Sequence, residues 1–203
     1  MSEQPTISAT DVKRLRDLTG AGMMDCKKAL VDSSGDLDKA QELLRTKGLA
    51  SAKKRQGRQA SEGVVESYIH GDGRIGVLVE INSETDFVAR TEEFRRLARE
   101  VAMQIAARDP RWVSRDEVPE DVTQSERKIY AEQARETGKP EQVIDRIVTG
   151  KLEAFYKESV LLDQPYIREN SKSVEELVHE VAAKVGEHLV VRRFSRYVLG
   201  GEV

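Results

Sequence analysis

Val64-Val65-Glu66-Ser67-Tyr68-Ile69-His70, then Gly71-Asp72-Gly73, then Ile75-Gly76-Val77-Leu78-Val79-Glu80-Ile81-Asn82 is the stretch that decides the fold. Two runs rich in β-branched and aromatic residues flank a glycine turn, the pattern of a β-hairpin. A strand sends alternate side chains to opposite faces. Ile75, Val77, Val79 and Ile81 therefore share one side of the second run, with Gly76, Leu78, Glu80 and Asn82 on the other. The first set is a core face. Thr91-Glu92-Glu93 next opens a helix in which Phe94, Leu97, Ala98, Val101 and Ile105 keep one register, and such an apolar stripe is the cover that a core face needs.

Further along, residues 109–122 read as a loop containing Asp109-Pro110 and Val118-Pro119. Thr123-x-x-Glu126 predicts a helix that ends near Gly138, and Pro140 starts another with Ile144, Ile147, Lys151, Leu152 and Phe155 inward. Leu161-Leu162-Asp163-Gln164-Pro165 is a connector. Ser173-x-x-Glu176 is a capping box before a helix lined by Val174, Leu177, Val178, Val181 and Val185, and Leu189–Leu199 supplies a third strand.

Upstream of the hairpin the period is purely helical. A capping start at Ser8-Ala9-Thr10-Asp11 leads into Val12, Leu15 and Leu18, and Thr19-Gly20 stops them. Met23, Cys26 and Leu30 line a second helix up to Ser33-Ser34-Gly35. Asp36 caps a third, with Leu37, Ala40, Leu43 and Leu44 as its stripe up to Lys47-Gly48. Short helices apolar on one side only must pack on each other. The predicted organisation is a three-helix docking module over 1–52, a charged linker or solvated helix extension over 53–62, and an α+β core domain over 63–203. That core is a small three-stranded antiparallel sheet packed by helices.

The sheet has a second face. Val64, Tyr68 and Leu78, with Val190, Phe194 and Val198 from the last strand, are too apolar to remain wet if they share it. Two covers are open: a second copy of the chain, with Tyr68, Leu78 and Phe194 at a homodimer interface, or the chain's own middle helices.

Composition bounds the function. The 203 residues are 38% hydrophobic, 34% charged and 5% aromatic, and no apolar run approaches a membrane span. The sequence start Met1-Ser2-Glu3-Gln4-Pro5 lacks the basic and apolar blocks of a signal peptide, and a single cysteine, Cys26, excludes an intrachain disulfide framework, so a cytoplasmic protein is expected. Net charge is −3, without the electropositive field of a nucleic-acid binder. Residues 1–60 carry twelve Lys and Arg against eight Asp and Glu, leaving a mildly basic N-terminal module and an acidic body.

No constellation for catalysis is visible, and neither an enzyme nor a cofactor or metal is expected. His70, His179 and His188 match no ligand spacing, and Cys26 sits at a helical core position. The glycines at 71 and 73 belong to a hairpin and not to a phosphate loop. Lys53-Lys54-Arg55 with Arg58 lacks the interleaved aromatics of a single-strand binder, and a solvated linker accounts for it.

One segment asks for a function. Glu84-Thr85-Asp86-Phe87-Val88-Ala89-Arg90 joins the core strand to the helix after it and is predicted to be an exposed loop. A phenylalanine beside an aspartate at such a tip either folds back as a staple onto the helix or is an apolar wedge aimed at a partner.

The residues Leu78-Val79-Glu80-Ile81-Asn82-Ser83-Glu84-Thr85-Asp86-Phe87-Val88-Ala89-Arg90 resemble the strand and loop of the elongation factor Ts family. Leu15-Arg16-x-x-Thr19-Gly20-Ala21-Gly22-Met23-Met24-Asp25-Cys26-Lys27-Lys28-Ala29-Leu30 resembles its N-terminal signature, and the likeness continues through Gly35-Asp36-Leu37, Ala60-Ser61-Glu62-Gly63, Leu161–Pro165 and Val191-Arg192-Arg193-Phe194. The resemblance implies a guanine-nucleotide exchange factor acting on elongation factor Tu. In that family a ubiquitin-associated-like bundle docks on the partner, which would use Arg16, Met23 and Met24. Thr85, Asp86, Phe87 and Val88 would form the nucleotide-release loop that intrudes near the partner's magnesium. Longer members have a second core subdomain and a helical hairpin, and this chain lacks the length for both; the short form is expected to complete its core as a homodimer. The rival function is a tethering adaptor without exchange activity.

Overall fold

A computed structural model describes residues 7–55, 57–136, 138 and 140–201, with the side chains of Leu49 and of residues 51–54 outside the described set. The chain is α+β, as the patterning requires. It divides into two compact units. One holds the residues up to Gly63 with Asn82–Arg95 and Val178–Val190; the other holds Val64–Ile81, Arg96–Leu177 and the residues from Val191 on.

The first unit begins with three helices, α1 (Ala9–Thr19), α2 (Met23–Asp32) and α3 (Leu37–Arg55). Ser8 caps α1 by accepting the Asp11 N–H at 3.0 Å, and Asp36 caps α3 by accepting the Asp38 and Lys39 N–H groups at 3.1 Å each. Val12, Leu15, Cys26, Ala29, Leu30, Ala40 and Leu44 form the bundle's core. The predicted stop of the third helix at Lys47-Gly48 is corrected: α3 runs on to Arg55. Gly48 is used for close approach instead of termination, since a Cβ there would sit 3.3 Å from that of Ala183 on α8 (Val174–Val185). Gly20 is a true stop, with φ 67° and its N–H on the Arg16 carbonyl. It too lies against α8, within 3.0 Å of the Lys184 side chain were a Cβ present. The bundle thus packs on the C-terminal half of α8.

The second unit is built on the sheet. Strands β1 (Glu62–His70) and β2 (Ile75–Ser83) form the predicted hairpin, and β5 (Val190–Val198) pairs with β2 in the order β1-β2-β5. Gly71, Asp72 and Gly73 all take positive φ in its turn. Val77, Val79 and Ile81 are buried to 2% exposure or less, as expected of the core face. The helix after the hairpin, α5 (Glu92–Arg108), buries Phe94, Leu97, Ala98, Val101 and Ile105. Arg99 on α5 pairs with Glu66 of β1, and Arg196 of β5 donates to the Ala106 carbonyl, so α5 lies on the sheet face that carries Glu66 and Arg196.

Strand alternation then corrects the second face. Tyr68 shares the side of Glu66, and Phe194 that of Arg196; both are half-buried on the helix-covered face and not on the open one. The open face instead carries Leu78, with Ile69 packed over Gly76 and Arg193 paired to Glu80. Val65 and Tyr197 follow by the same alternation. Ile69, Val65 and Tyr197 are each about two-thirds exposed, and Leu78 about half. The expectation failed because apolar residues stand on both sides of β1 and β5, Val64 and Tyr68 against Val65 and Ile69, and Phe194 and Val198 against Val191 and Tyr197, and it is the partners of Glu66, Arg193 and Arg196 that tell the sides apart.

The middle helices also differ from expectation. The first of them, α6, begins at Glu120 and ends at Arg135, three residues earlier than Thr123 suggested, because Pro119 sets the N-terminus and its carbonyl accepts the Thr123 N–H. Helix α7 (Glu141–Ser159) pairs with α6 through its own core of Ala134, Ile144, Val148 and Leu152. The connector after it is more than a link. A single 3-10 turn at Leu161–Asp163 leads to a small ladder of β3 (Pro165–Tyr166) with β4 (Glu169–Ser173). Gln164 is 1% exposed there, accepting from Gln104 on α5 and donating to the Arg108 and Glu158 carbonyls. The capping box at α8 forms as predicted, Ser173 and Glu176 exchanging hydrogen bonds.

Gly20→Ala is expected to lower unfolding stability by about 1 kcal/mol, because an alanine held at that left-handed φ is strained; urea denaturation followed by circular dichroism checks it.

Candidate functional site

The segment predicted as a loop contains one helical turn, α4 (Asp86–Ala89), and is anchored at both ends. Thr85 is its cap, extended at φ −127° and ψ 155°, with its hydroxyl oxygen facing the Val88 N–H at 3.5 Å. Val88 and Ala89 bury themselves. Thr91 closes the far end, donating its hydroxyl to the Val88 carbonyl at 2.8 Å while accepting the Phe94 N–H, and Arg95 donates to the Ala89 carbonyl at 3.0 Å.

The near end is tied to residues a hundred positions away. The backbone N–H and the hydroxyl of Thr85 both donate to the Glu187 carboxylate, at 3.0 and 2.6 Å. The Glu84 carboxylate accepts the His188 N–H at 2.7 Å and the Arg58 guanidinium at 3.3 Å, and the ring Nδ1 of His188 lies 2.9 Å from the Arg58 carbonyl. The His188 N–H, followed by the Arg58 charge acting against partial desolvation, holds the Glu84 carboxyl below its ordinary value of 4.5. Ser83 is fully buried and donates to the Thr85 carbonyl.

On this fixed turn Phe87 is 80% exposed, which removes the staple alternative. Asp86 beside it pairs with Arg90 at 2.8 Å, one turn along. The turn therefore presents an uncovered ring and an ion pair to solvent. Of the four predicted loop residues, Phe87 projects, Asp86 flanks it, Thr85 is the cap and Val88 is the buried anchor.

The second candidate patch lies in the same compact unit. Arg16 is exposed on α1, and on α2 Met24 is 74% exposed. Met23, which periodicity placed on the apolar face with Cys26 and the family resemblance placed in the docking patch, is also solvent-facing, since the helix begins at that residue and its inner side is taken by Cys26, Ala29 and Leu30. Leu18 and Val31 extend the apolar surface.

The sequence reading missed Glu187 and His188, and it placed Arg58 in a solvated linker. No local pattern marks them, because their partners are distant in the chain. The side chains of Lys53 and Lys54 in that basic stretch lie outside the described residues. Among the described residues no group of three His, Cys, Asp or Glu side chains could hold a metal, and no helix is long and apolar enough to cross a membrane.

Comparison with known proteins gives the family. A model of the family described as elongation factor TS matches residues 50–201. The chain belongs to the elongation factor Ts family. It is 58% identical to elongation factor Ts of Caldanaerobacter subterraneus over 96% of this chain and 97% of that one. The proteins of the same name from Moorella thermoacetica and Coprothermobacter proteolyticus are 57% and 55% identical, each over 96% of this chain, and over 96% and 98% of their own. Membership of that family carries the role of a translation elongation factor. The braced turn and the exposed methionines are this chain's geometry at two of the stretches that carried the resemblance.

Because the Glu84 carboxyl is held below its ordinary value, it contributes stability that is present above pH ~4.5 and is lost as the pH falls below it. Glu84→Gln should therefore lower the melting temperature at pH 7, and the gap from wild type should close as the pH is taken toward 3; calorimetry across that range is the check.

Proposed function

We propose that this protein is a guanine-nucleotide exchange factor that binds elongation factor Tu carrying GDP, promotes GDP release and so allows GTP to load. The observation that carries the proposal is Phe87, an aromatic ring 80% exposed on a turn that is otherwise tied down at both ends. A ring left in water on a rigid support is poised to be buried by something else, worth about 1.5 to 3 kcal/mol on insertion into an apolar crevice.

An exchange factor must bind the empty partner better than the loaded one, and the coupling then weakens nucleotide and factor reciprocally. Contacts indifferent to nucleotide set affinity alone. Arg16, Met23 and Met24 supply those, as an exposed, adaptable patch on the N-terminal bundle. Phe87 and Asp86 supply the differential ones, the ring entering near the partner's magnesium site and the carboxylate, released from Arg90, disturbing the ion's surroundings. The protein works in the cytoplasm, performs no covalent chemistry and needs neither cofactor, nucleic acid nor membrane. A tethering adaptor remains the rival, and it would leave nucleotide release unchanged.

The homodimer belongs to the same proposal. Val65, Ile69, Leu78 and Tyr197 on the open sheet face are the surface a second copy would bury, and a two-fold axis requires only that one surface be self-complementary. Leu78 is retained from the sequence reading as an interface residue, whereas Tyr68 and Phe194 act behind the sheet.

Phe87→Ala is expected to slow stimulated release of fluorescent GDP severalfold or more, in line with about 2 kcal/mol for an interface hot spot, with the fold intact. Joint alanine replacement of Arg16, Met23 and Met24 should instead raise the concentration needed for half-maximal stimulation and spare the rate at saturation. Loss at saturation from both variants would contradict the division of labour. By analytical ultracentrifugation the wild type should sediment near twice 22.8 kDa. Leu78→Asp or Ile69→Asp should give monomers, while a wild type monomeric at tens of micromolar would overturn the dimer.

A further inference from the structure

Phe87 has no side-chain burial of its own to orient it, so its direction is set by the backbone of the turn that carries it. The downstream half of that turn is fixed independently by the buried Val88 and Ala89 and by the Thr91 and Arg95 hydrogen bonds to it. The upstream half depends on Thr85. A threonine hydroxyl has one proton and two lone pairs, and here the proton is committed to one Glu187 oxygen at 2.6 Å while the backbone N–H of the same residue takes the other at 3.0 Å. Committing the proton leaves a lone pair directed at the Val88 N–H, the capping contact that starts α4. One carboxylate thereby fixes the rotamer of the cap and, together with the Ser83 hydroxyl on the Thr85 carbonyl, its backbone. Both bonds are to an ionised acceptor and are stronger than their neutral counterparts, although solvent reaches them.

We propose that Glu187 is a positioning residue for nucleotide exchange: through Thr85 it holds the turn in the conformation that presents Phe87. Its action runs through Thr85. This rests on the exchange activity proposed above and names how the free protein keeps its wedge ready for insertion. Without Glu187 the turn would sample other orientations, and the competent fraction, hence the maximal rate, would fall in proportion. The bundle patch and the core would be unaffected.

The test is stimulated release of fluorescent GDP from elongation factor Tu, measured against protein concentration for wild type, Glu187→Gln and Glu187→Ala. Glu187→Ala is expected to reduce the maximal rate about threefold to tenfold, the range for losing charge-assisted bonds at a solvent-accessible site, with half-saturation changed by less than about twofold. Glu187→Gln, which keeps the shape and one acceptor, should fall between. The discriminating measurement is the same substitution in a Phe87→Ala background, where Glu187→Ala should have no further effect, because a residue acting only through the ring has nothing left to position. A thermal melt and hydrogen exchange of residues 84–90 accompany it: protection should be lost in the turn and kept in α5. An unchanged maximal rate, or an equal loss with and without Phe87, overturns the role of Glu187 and leaves the exchange reading standing. Absence of stimulation by the wild type overturns the exchange reading itself, and this inference with it.

Discussion

Two carboxylates close the first compact unit on itself. Glu84 and Glu187 each accept from the other's segment, Glu84 from the His188 N–H and Glu187 from Thr85, so the strand-to-helix turn and the end of α8 are laced together by reciprocal bonds across about a hundred residues. Arg58 is drawn into the same knot through its guanidinium on Glu84 and its carbonyl beside His188. Each carboxylate takes at least one donor whose direction the backbone fixes, the His188 N–H for Glu84 and the Thr85 N–H for Glu187, which makes the junction specific even where water competes. What the turn presents to solvent, Phe87 with the Asp86–Arg90 pair, follows from this knot. The bundle that carries the methionine patch rests on the same helix, its glycines at 20 and 48 admitting Lys184 and Ala183 at close range.

The second unit solves a different problem, that of a sheet with one covered and one open face. Val77, Val79 and Ile81 make the covered side almost perfectly dry. Polar ties, not apolar ones, decide the rest: Arg99 with Glu66 and Arg196 with the Ala106 carbonyl mark the side of α5, and Arg193 with Glu80 marks the other. Buried Gln104 and Gln164 do similar work around the connector, where each amide reaches carbonyl oxygens that would otherwise be stranded. A connector that looks featureless by periodicity is thus a specific structural joint.

Much of this was legible in the sequence because it is local. Caps at Ser8, Asp36, Thr91 and Ser173 announced helix starts, the glycines at 71 and 73 announced the hairpin, and alternation from Ile75 to Ile81 named the core face. Local rules also failed where two of them competed. Gly48 satisfied the signal for a helix end and was needed for packing, and Thr123 satisfied a capping pattern that Pro119 had already pre-empted.

The sequence alone therefore determined the main helices, the three strands of the sheet, the family, and that Phe87 with Asp86 stands between a core strand and a helix, since each of these depends on neighbours within a few turns. Only the tertiary structure decided that this segment is a braced turn with the ring outward and not a loop with the ring folded back. It alone put Tyr68 and Phe194 behind the sheet and left Ile69 and Leu78 in front. The physical reason is the same in both cases: the deciding partners, Glu187 for Thr85 and Arg99 or Arg196 for the strands, come from remote parts of the chain, and neither periodicity nor composition encodes which distant charge a side chain will meet.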